Sequence, residues 1–210
     1  MAYSNRRGPA ARRAFTLVEV IVVVVIIAVL AVLAIPSLTK QMRERRTSQA
    51  AQEISTLYRN ARMRALGRGS AVLVHYDDTN GFSVRESEEG AVAAAARGGT
   101  AQCQPLPTRG CLTNNWAVGG TFKVVGQFNP KIRGEFVDIE TTVLDPANTP
   151  LTYLDICFTP VGRSFSRIGE GVALAPMNGI VSVNVKRLEG LRRTVVVLPN
   201  GISRLAESGS

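Results

Sequence analysis

Histidine is nearly absent from this sequence: His75 is the only one in 210 residues. Tryptophan is as scarce, with Trp116 alone, and there are three cysteines, Cys103, Cys111 and Cys157. No Cys-x-x-Cys pair and no Cys/His cluster occurs, which excludes a zinc site. A phosphate-binding glycine loop of the Walker or dinucleotide type is also missing. Gly162-Arg-Ser-Phe-Ser166 approaches a nucleophile elbow but lacks the closing glycine. A histidine-based hydrolase would have to use His75, which stands in the alternating run VLVHYD and reads as a half-exposed strand residue. Asp77-Asp78 and Glu88-Glu89 fall in turn or loop contexts and read as solvated. These absences argue against an enzyme; no catalytic residue, metal or cofactor is expected.

Acid is missing from the first thirteen positions, which hold Arg6, Arg7, Arg12 and Arg13. Setting those four aside from the 25 basic residues leaves 21 against 16 acidic ones, a net +5 for the rest of the chain. That is mildly basic, below the charge density of a dedicated nucleic-acid binder. The length gives room for one ordinary domain plus an extra element, and hardly for two full domains. No internal repeat is evident.

What is present in excess is an apolar block near the N-terminus. Phe15 to Ile35 is 21 residues long, with Thr16 and Glu19 its only polar members. As a helix it would be about 31 Å long at about 1.5 Å per residue, matching a hydrocarbon core of roughly 30 Å. Four arginines precede it; Lys40, Arg43, Arg45 and Arg46 follow. The short Arg-rich leader is expected to stay cytoplasmic, which sends the C-terminal part to the periplasm or cell exterior. The alternative is a secretory signal ending at Val32-Leu33-Ala34. Against it stand the length of the run and the carboxylate of Glu19 in its first turn. A charge there costs about 3 kcal/mol on insertion scales, so it calls for a reason.

The string Arg13-Ala14-Phe15-Thr16-Leu17-Val18-Glu19-Val20 resembles the processing site of type IV prepilins and type II secretion pseudopilins. The resemblance implies cleavage by a prepilin peptidase between Ala14 and Phe15, and N-methylation of the new terminus. It also implies that Glu19 pairs with the amine of Phe15 on a neighbouring subunit during assembly. Two charges in an apolar bundle are tolerable when they neutralise each other, which gives that role a physical basis. Ala14 departs from the family pattern, which usually has glycine before the cut. The partners implied are the prepilin peptidase, other major and minor pilins or pseudopilins, and an inner-membrane assembly platform. The localisation implied is a single pass through the bacterial inner membrane, then a pilus or pseudopilus.

The helix is expected to continue past a kink or local break at Pro36, which removes a backbone hydrogen bond. From Ser37 to Leu66, the residues Met42, Ile54, Leu57, Tyr58, Ala61 and Ala65 fall near one face at helical spacing, and Gly67 and Gly69 supply the stop. Beyond Ser70, short β-branched and aromatic runs alternate with turns. They predict strands at 71–76, 81–85, 121–125, 135–141, 153–158, 172–174, 180–186 and 194–198. Turns are expected at Asp78-Thr79-Asn80-Gly81, Pro160-Val161-Gly162 and Pro199-Asn200-Gly201. The organisation is therefore a leader (1–14), a transmembrane or filament-core helix (15–36), an amphipathic continuation (37–67), a β domain (68–204) and a frayed tail (205–210). An aperiodic surface insertion occupies 86–116. If the domain lies outside the cytoplasm, Cys103 and Cys111, which flank QPLPTRG, are the expected disulfide, leaving Cys157 as a buried thiol. Three free thiols are the alternative.

Three shorter stretches are similar to the GspH/FimT (FimU-like) group of minor pilins and pseudopilins. They are the junction Ala61-Arg-Met-Arg-Ala-Leu-Gly-Arg-Gly-Ser-Ala-Val-Leu-Val, the segment Ile156-Cys-Phe-Thr-Pro-Val-Gly-Arg163, and Thr194-Val-Val-Val-Leu-Pro-Asn-Gly201. The fold class implied is α+β, a long N-terminal helix followed by an antiparallel β-sandwich-like domain. Some FimT-type minor pilins take part in DNA uptake, and the resemblance implies a basic C-terminal patch. Here Arg192, Arg193 and Arg204, with Lys186 and Arg187, are the candidates for that alternative, a solvated basic face being the simpler reading. A membrane-anchored periplasmic domain that never polymerises is a further alternative.

Overall fold

A 52-residue helix, α1 (Leu17–Arg68), opens the computed structural model. The structure describes residues 16–88, 110–112, 116, 121–130, 139–187 and 192–207. Ala14, Phe15 and Cys103, with the Arg-rich leader and most of the 86–116 stretch, lie outside them. The chain divides into two units, Met1–Arg43 and Glu44–Ser210. The helix runs on through Pro36, so of the expected kink or local break the break does not occur.

Within the first unit, every large apolar side chain described from Leu17 to Val32 is between 49 % and 76 % exposed. The run has no amphipathic stripe, because almost all its members are apolar. Among the described residues, no helix is long and apolar enough to cross a membrane. The side chains described run unbroken only from Thr16 to Val32, short of the span Phe15–Ile35 that the sequence contains.

The second unit begins with the remainder of α1, where the apolar residues fall on one stripe. Ala50, Ala51, Ile54, Tyr58, Ala61 and Ala65 are buried, as their three- and four-residue spacing dictates. Met42, expected on this face, is 59 % exposed and precedes the unit. The helix ends as Gly69 adopts a left-handed conformation (φ 67°) and donates its N–H to the Ala65 carbonyl at 3.1 Å.

Eleven strands follow: β1 (Val72–Asp77), β2 (Gly81–Ser87), β3 (Phe122–Phe128), β4 (Ile139–Leu144), β5 (Pro150–Leu151), β6 (Tyr153–Phe158), β7 (Ser164–Arg167), β8 (Ala175–Pro176), β9 (Val181–Arg187), β10 (Arg193–Val197) and β11 (Ser203–Glu207). They form two antiparallel sheets, ordered β3-β2-β1-β6-β7-β8 and β11-β10-β9-β4-β5. The fold is α+β. Alternation places Val72, Val74 and Tyr76 of β1 in one core with Leu154, Ile156 and Phe158 of β6. Val181, Val183 and Val185 of β9 and Val195 and Val197 of β10 enter the same core, and the buried stripe of α1 completes it. The three expected turns each join consecutive strands, β1–β2, β6–β7 and β10–β11.

Three expectations fail here. The segment 172–174 is not a strand: Gly169 and Gly171 take positive φ just before it, and Leu174 turns into a second apolar cluster. Of the tail expected to fray, residues 205–207 are instead part of β11, which pairs with β10 along its length and anchors through Ser203, whose Oγ donates to the Ser55 carbonyl at 2.8 Å; 208–210 lie outside the described residues. The parts of 86–116 that the structure describes are not a loose surface insertion, since Cys111 and Trp116 are both 2 % exposed.

Candidate functional site

The N-terminal segment carries its chemistry in one turn of helix. Thr16 precedes α1 and caps it: its Oγ1 accepts the backbone N–H of Glu19 at 3.2 Å, and its carbonyl accepts that of Val20 at 3.3 Å. Thr16-Leu17-Val18-Glu19 has the spacing of a capping box, in which the acid three residues on reaches back to the backbone N–H of the capping residue. Glu19 also sits where the positive end of the helix dipole favours a negative charge. The carboxylate therefore has a local reason to be present, beside any role between subunits. The Thr-x-x-Glu spacing was visible in the sequence and marks Thr16 as a further functional residue. Ala14 and Phe15 lie outside the described residues.

In the second unit the polar chemistry lies on the outer face of the β3-to-β8 sheet, away from α1. Strand register puts Ser83, His75, Asp155 and Arg167 in one row across β2, β1, β6 and β7. Asp155 is fully buried, and three donors satisfy it: His75 Nδ1 at 2.7 Å, Arg167 Nε at 2.6 Å and the Tyr153 hydroxyl at 2.9 Å. Burial alone would raise this carboxyl; the hydrogen bond and charge of His75, then those of Arg167, outweigh it and hold the group below its ordinary range. Burial and the Asp155 charge push the Tyr153 hydroxyl up to about 12. The His75 side chain is 12 % exposed, so it is an embedded member of this network and not the half-exposed residue expected. The buried Ser83 Oγ finds no hydrogen-bond partner among the described residues, so the serine-to-histidine contact that acyl transfer uses is not made.

Beside this row lies a second apolar cluster of Ala71, Leu73, Cys111, Trp116, Cys157 and Leu174. Cys111 is bonded to Cys157, 46 residues away, with the Cα atoms 6.0 Å apart. This corrects the expected Cys103–Cys111 pair: Cys157 is a bonded cysteine, and Cys103 lies outside the described residues. The Trp116 indole donates to the Cys111 carbonyl at 2.9 Å, and Arg85 Nη1 donates to the Trp116 carbonyl at 2.7 Å. Non-local packing on β6 therefore decided the partner, which no loop-length rule could have chosen.

The basic residues named from the sequence divide between the two sides of the β11-to-β5 sheet, with Lys186 and Arg204 on the same side. Arg193 shares its side of β10 with the buried Val195 and Val197, whereas Arg204 is opposite Val196 and points to the other side. Lys186 is ion-paired to Glu140 at 3.1 Å. Arg192 precedes β10 and is exposed. A different arginine pair has a structural task. Arg64 and Arg68 on α1 meet the buried Glu86 of β2 at 2.6 and 2.8 Å, and Ser70 Oγ adds a bond at 2.9 Å. This cluster locks the end of the helix to the first hairpin.

A capped helix start bearing one carboxylate and continuing as an exposed apolar helix is the arrangement that a type IV prepilin-like N-terminus requires. The model of the prokaryotic N-terminal methylation motif matches residues 9–35, which contain the whole of this site. That match marks the chain as pilin-like and processed by prepilin peptidase, with assembly alongside other pilins and anchoring at the inner membrane implied. No curated protein matches the chain, and no solved structure does.

Proposed function

We propose that the chain is a minor pilin or pseudopilin of the GspH/FimT group. It is cut between Ala14 and Phe15, methylated at Phe15, and joins other minor subunits to prime or cap a type IV pilus or a type II secretion pseudopilus. The observation that carries this reading is Glu19 in the first turn of an otherwise apolar, exposed helix inside the matched motif. Phe15 to Ile35 spans the membrane before assembly and packs in the filament core afterwards, where Glu19 neutralises a neighbour's N-terminal amine. The β unit faces the periplasm or exterior. Its buried disulfide supports that side, because such bonds persist in oxidising compartments.

The group assignment draws support from where the resembling stretches fall. One runs from the end of α1 into β1, one from the second half of β6 into its turn, and one from β10 into its turn. A groove of about 570 Å³ between α1 and the edge strand β3, lined by Leu57, Asn60, Val125 and Phe128, offers surface for a neighbouring subunit. The role is one of assembly, without catalysis or cofactor.

Intact mass of the protein extracted from the membranes of its native host tests the reading. A chain beginning at Phe15 with one added methyl group is expected. A chain beginning at Ile35 would make it an ordinary exported protein, and an uncut chain would make it a plain anchor.

A further inference from the structure

Among the described residues, each sheet has one blunted edge and one open edge. The strands β8 and β5 each end one sheet, are two residues long and contain a proline, Pro176 and Pro150. Short edge strands and prolines are the usual protection against pairing with another chain. The opposite ends of the two sheets are β3, with seven residues, and β11, with five, and neither contains a proline. Among the described residues of the second unit, the exposed large apolar side chains that lie on strands are Val124 of β3, 43 % exposed, and Leu205 of β11, 45 % exposed. Each open edge therefore carries one.

The open edges lie on opposite flanks of α1. Leu57, Asn60 and Arg64 line the groove of about 570 Å³ beside β3, whereas Ser48 and Gln52 lie beside Leu205 of β11. At about 3.6 residues per turn, these two groups fall on either side of the buried stripe that holds Ile54, Tyr58 and Ala65.

We propose that β11 of a second copy of this chain adds to β3 as an antiparallel strand, so that copies join head to tail. Val124 lies opposite Arg85, on the face of the sheet away from α1, and Val125 turns toward the groove. Seating Leu205 against Val124 turns its neighbour Arg204 onto the groove face, where Glu53 forms part of the wall. Charge sets the direction. Lys123, opposite the buried Glu86, is on that same face. A parallel β11 would set Arg204 beside Lys123, whereas an antiparallel one sets Ala206 there. Because the two halves of the joint differ, the contact does not close into a symmetric pair and can repeat along a filament. A five-residue strand buries less than the roughly 1,200 Å² of a stable complex. The joint therefore depends on α1 holding subunits side by side, at an effective concentration of about millimolar. This puts more than one copy in the assembly, and the inference rests on the filament reading of the N-terminal segment.

The test places a photo-crosslinking phenylalanine analogue at Val124, and separately at Leu205, in the full chain in its native host. Two epitope-tagged forms are co-expressed, so that links between copies are captured on one tag and read on the other. Sheared filaments are irradiated, and linked peptides are mapped by mass spectrometry. Position 124 should link to the 203–207 segment of another copy and position 205 to 122–128, with a gel ladder running beyond the dimer. Arg204→Glu should lower the yield about threefold, and adding Glu53→Arg should restore it. Links from 124 to 124, links to a different subunit alone, or no links, in filaments that contain the chain, would overturn the joint and leave the filament reading intact. Absence of the chain from filaments would overturn both.

Discussion

Glu19 answers two demands at once, and the choice of substitution separates them. Its backbone N–H is held by Thr16 Oγ1 and its side chain occupies the acidic position of a capping box, while the filament reading assigns the same carboxylate to a neighbour's amine. Glu19→Val removes both capacities and should abolish incorporation into filaments while leaving membrane insertion intact. Glu19→Gln keeps the hydrogen-bonding reach and loses only the charge. It should also fail to incorporate when scored by immunoblot of sheared filaments; normal incorporation of the Gln variant would assign the residue to capping alone. Asp155 gives a second residue-scale expectation. A carboxyl held below its ordinary value in the folded state contributes stability above its unfolded pKa of about 3.9, and that stability is lost as pH falls through the folded value. Asp155→Ala strands Arg167 and His75 and should cost about 3 kcal/mol or more at neutral pH. Denaturant titrations from pH 7 downward should show a smaller acid-induced loss in the variant than in the parent.

Among the elements, the β1–β2 hairpin shows how little freedom a turn can have. Asp77 accepts the Thr79 N–H at 2.6 Å and the Asn80 side-chain amide at 3.0 Å, and the backbone bond to Thr79 is the chief reason its carboxyl lies below the ordinary range. Gly81 then takes φ 75°, where an added Cβ would lie 2.7 Å from the Phe128 carbonyl oxygen and 2.9 Å from the Asn129 Cα. Both obstacles are backbone, so neither can rotate away. Gly81→Ala should therefore cost about 2 kcal/mol or more, measured by urea unfolding followed through Trp116, the only tryptophan. The same hairpin carries His75 and Ser83, so the substitution should also disturb the polar row around Asp155.

At the scale of the whole molecule, the disulfide and the two apolar clusters divide the work. The main core binds α1 to both sheets, and the smaller cluster fastens the connection between β2 and β3 to the outer face of one sheet. Closing a loop of this length stabilises by about 4 kcal/mol in the chain-entropy picture. Cys111→Ser and Cys157→Ser should each lose about that much, and the double variant should lose no more than either alone, because one bond is removed in all three. Agreement of the three urea midpoints checks this.

The sequence by itself determined the features that depend on neighbours along the chain. The apolar run and its single acid mark the N-terminal segment, the three- and four-residue spacing marks the buried stripe of α1, and the Asp-Thr-Asn-Gly, Pro-Val-Gly and Pro-Asn-Gly turns mark three hairpins. Each of these is a local matter of periodicity or backbone conformation. The tertiary structure alone decided that Cys111 meets Cys157, that His75 is embedded against Asp155, that β11 is a strand and not a frayed end, and that Arg193 and Arg204 face opposite ways. Each of those depends on which strands become neighbours and in what register, and contacts between segments dozens of residues apart leave no periodic trace in either one.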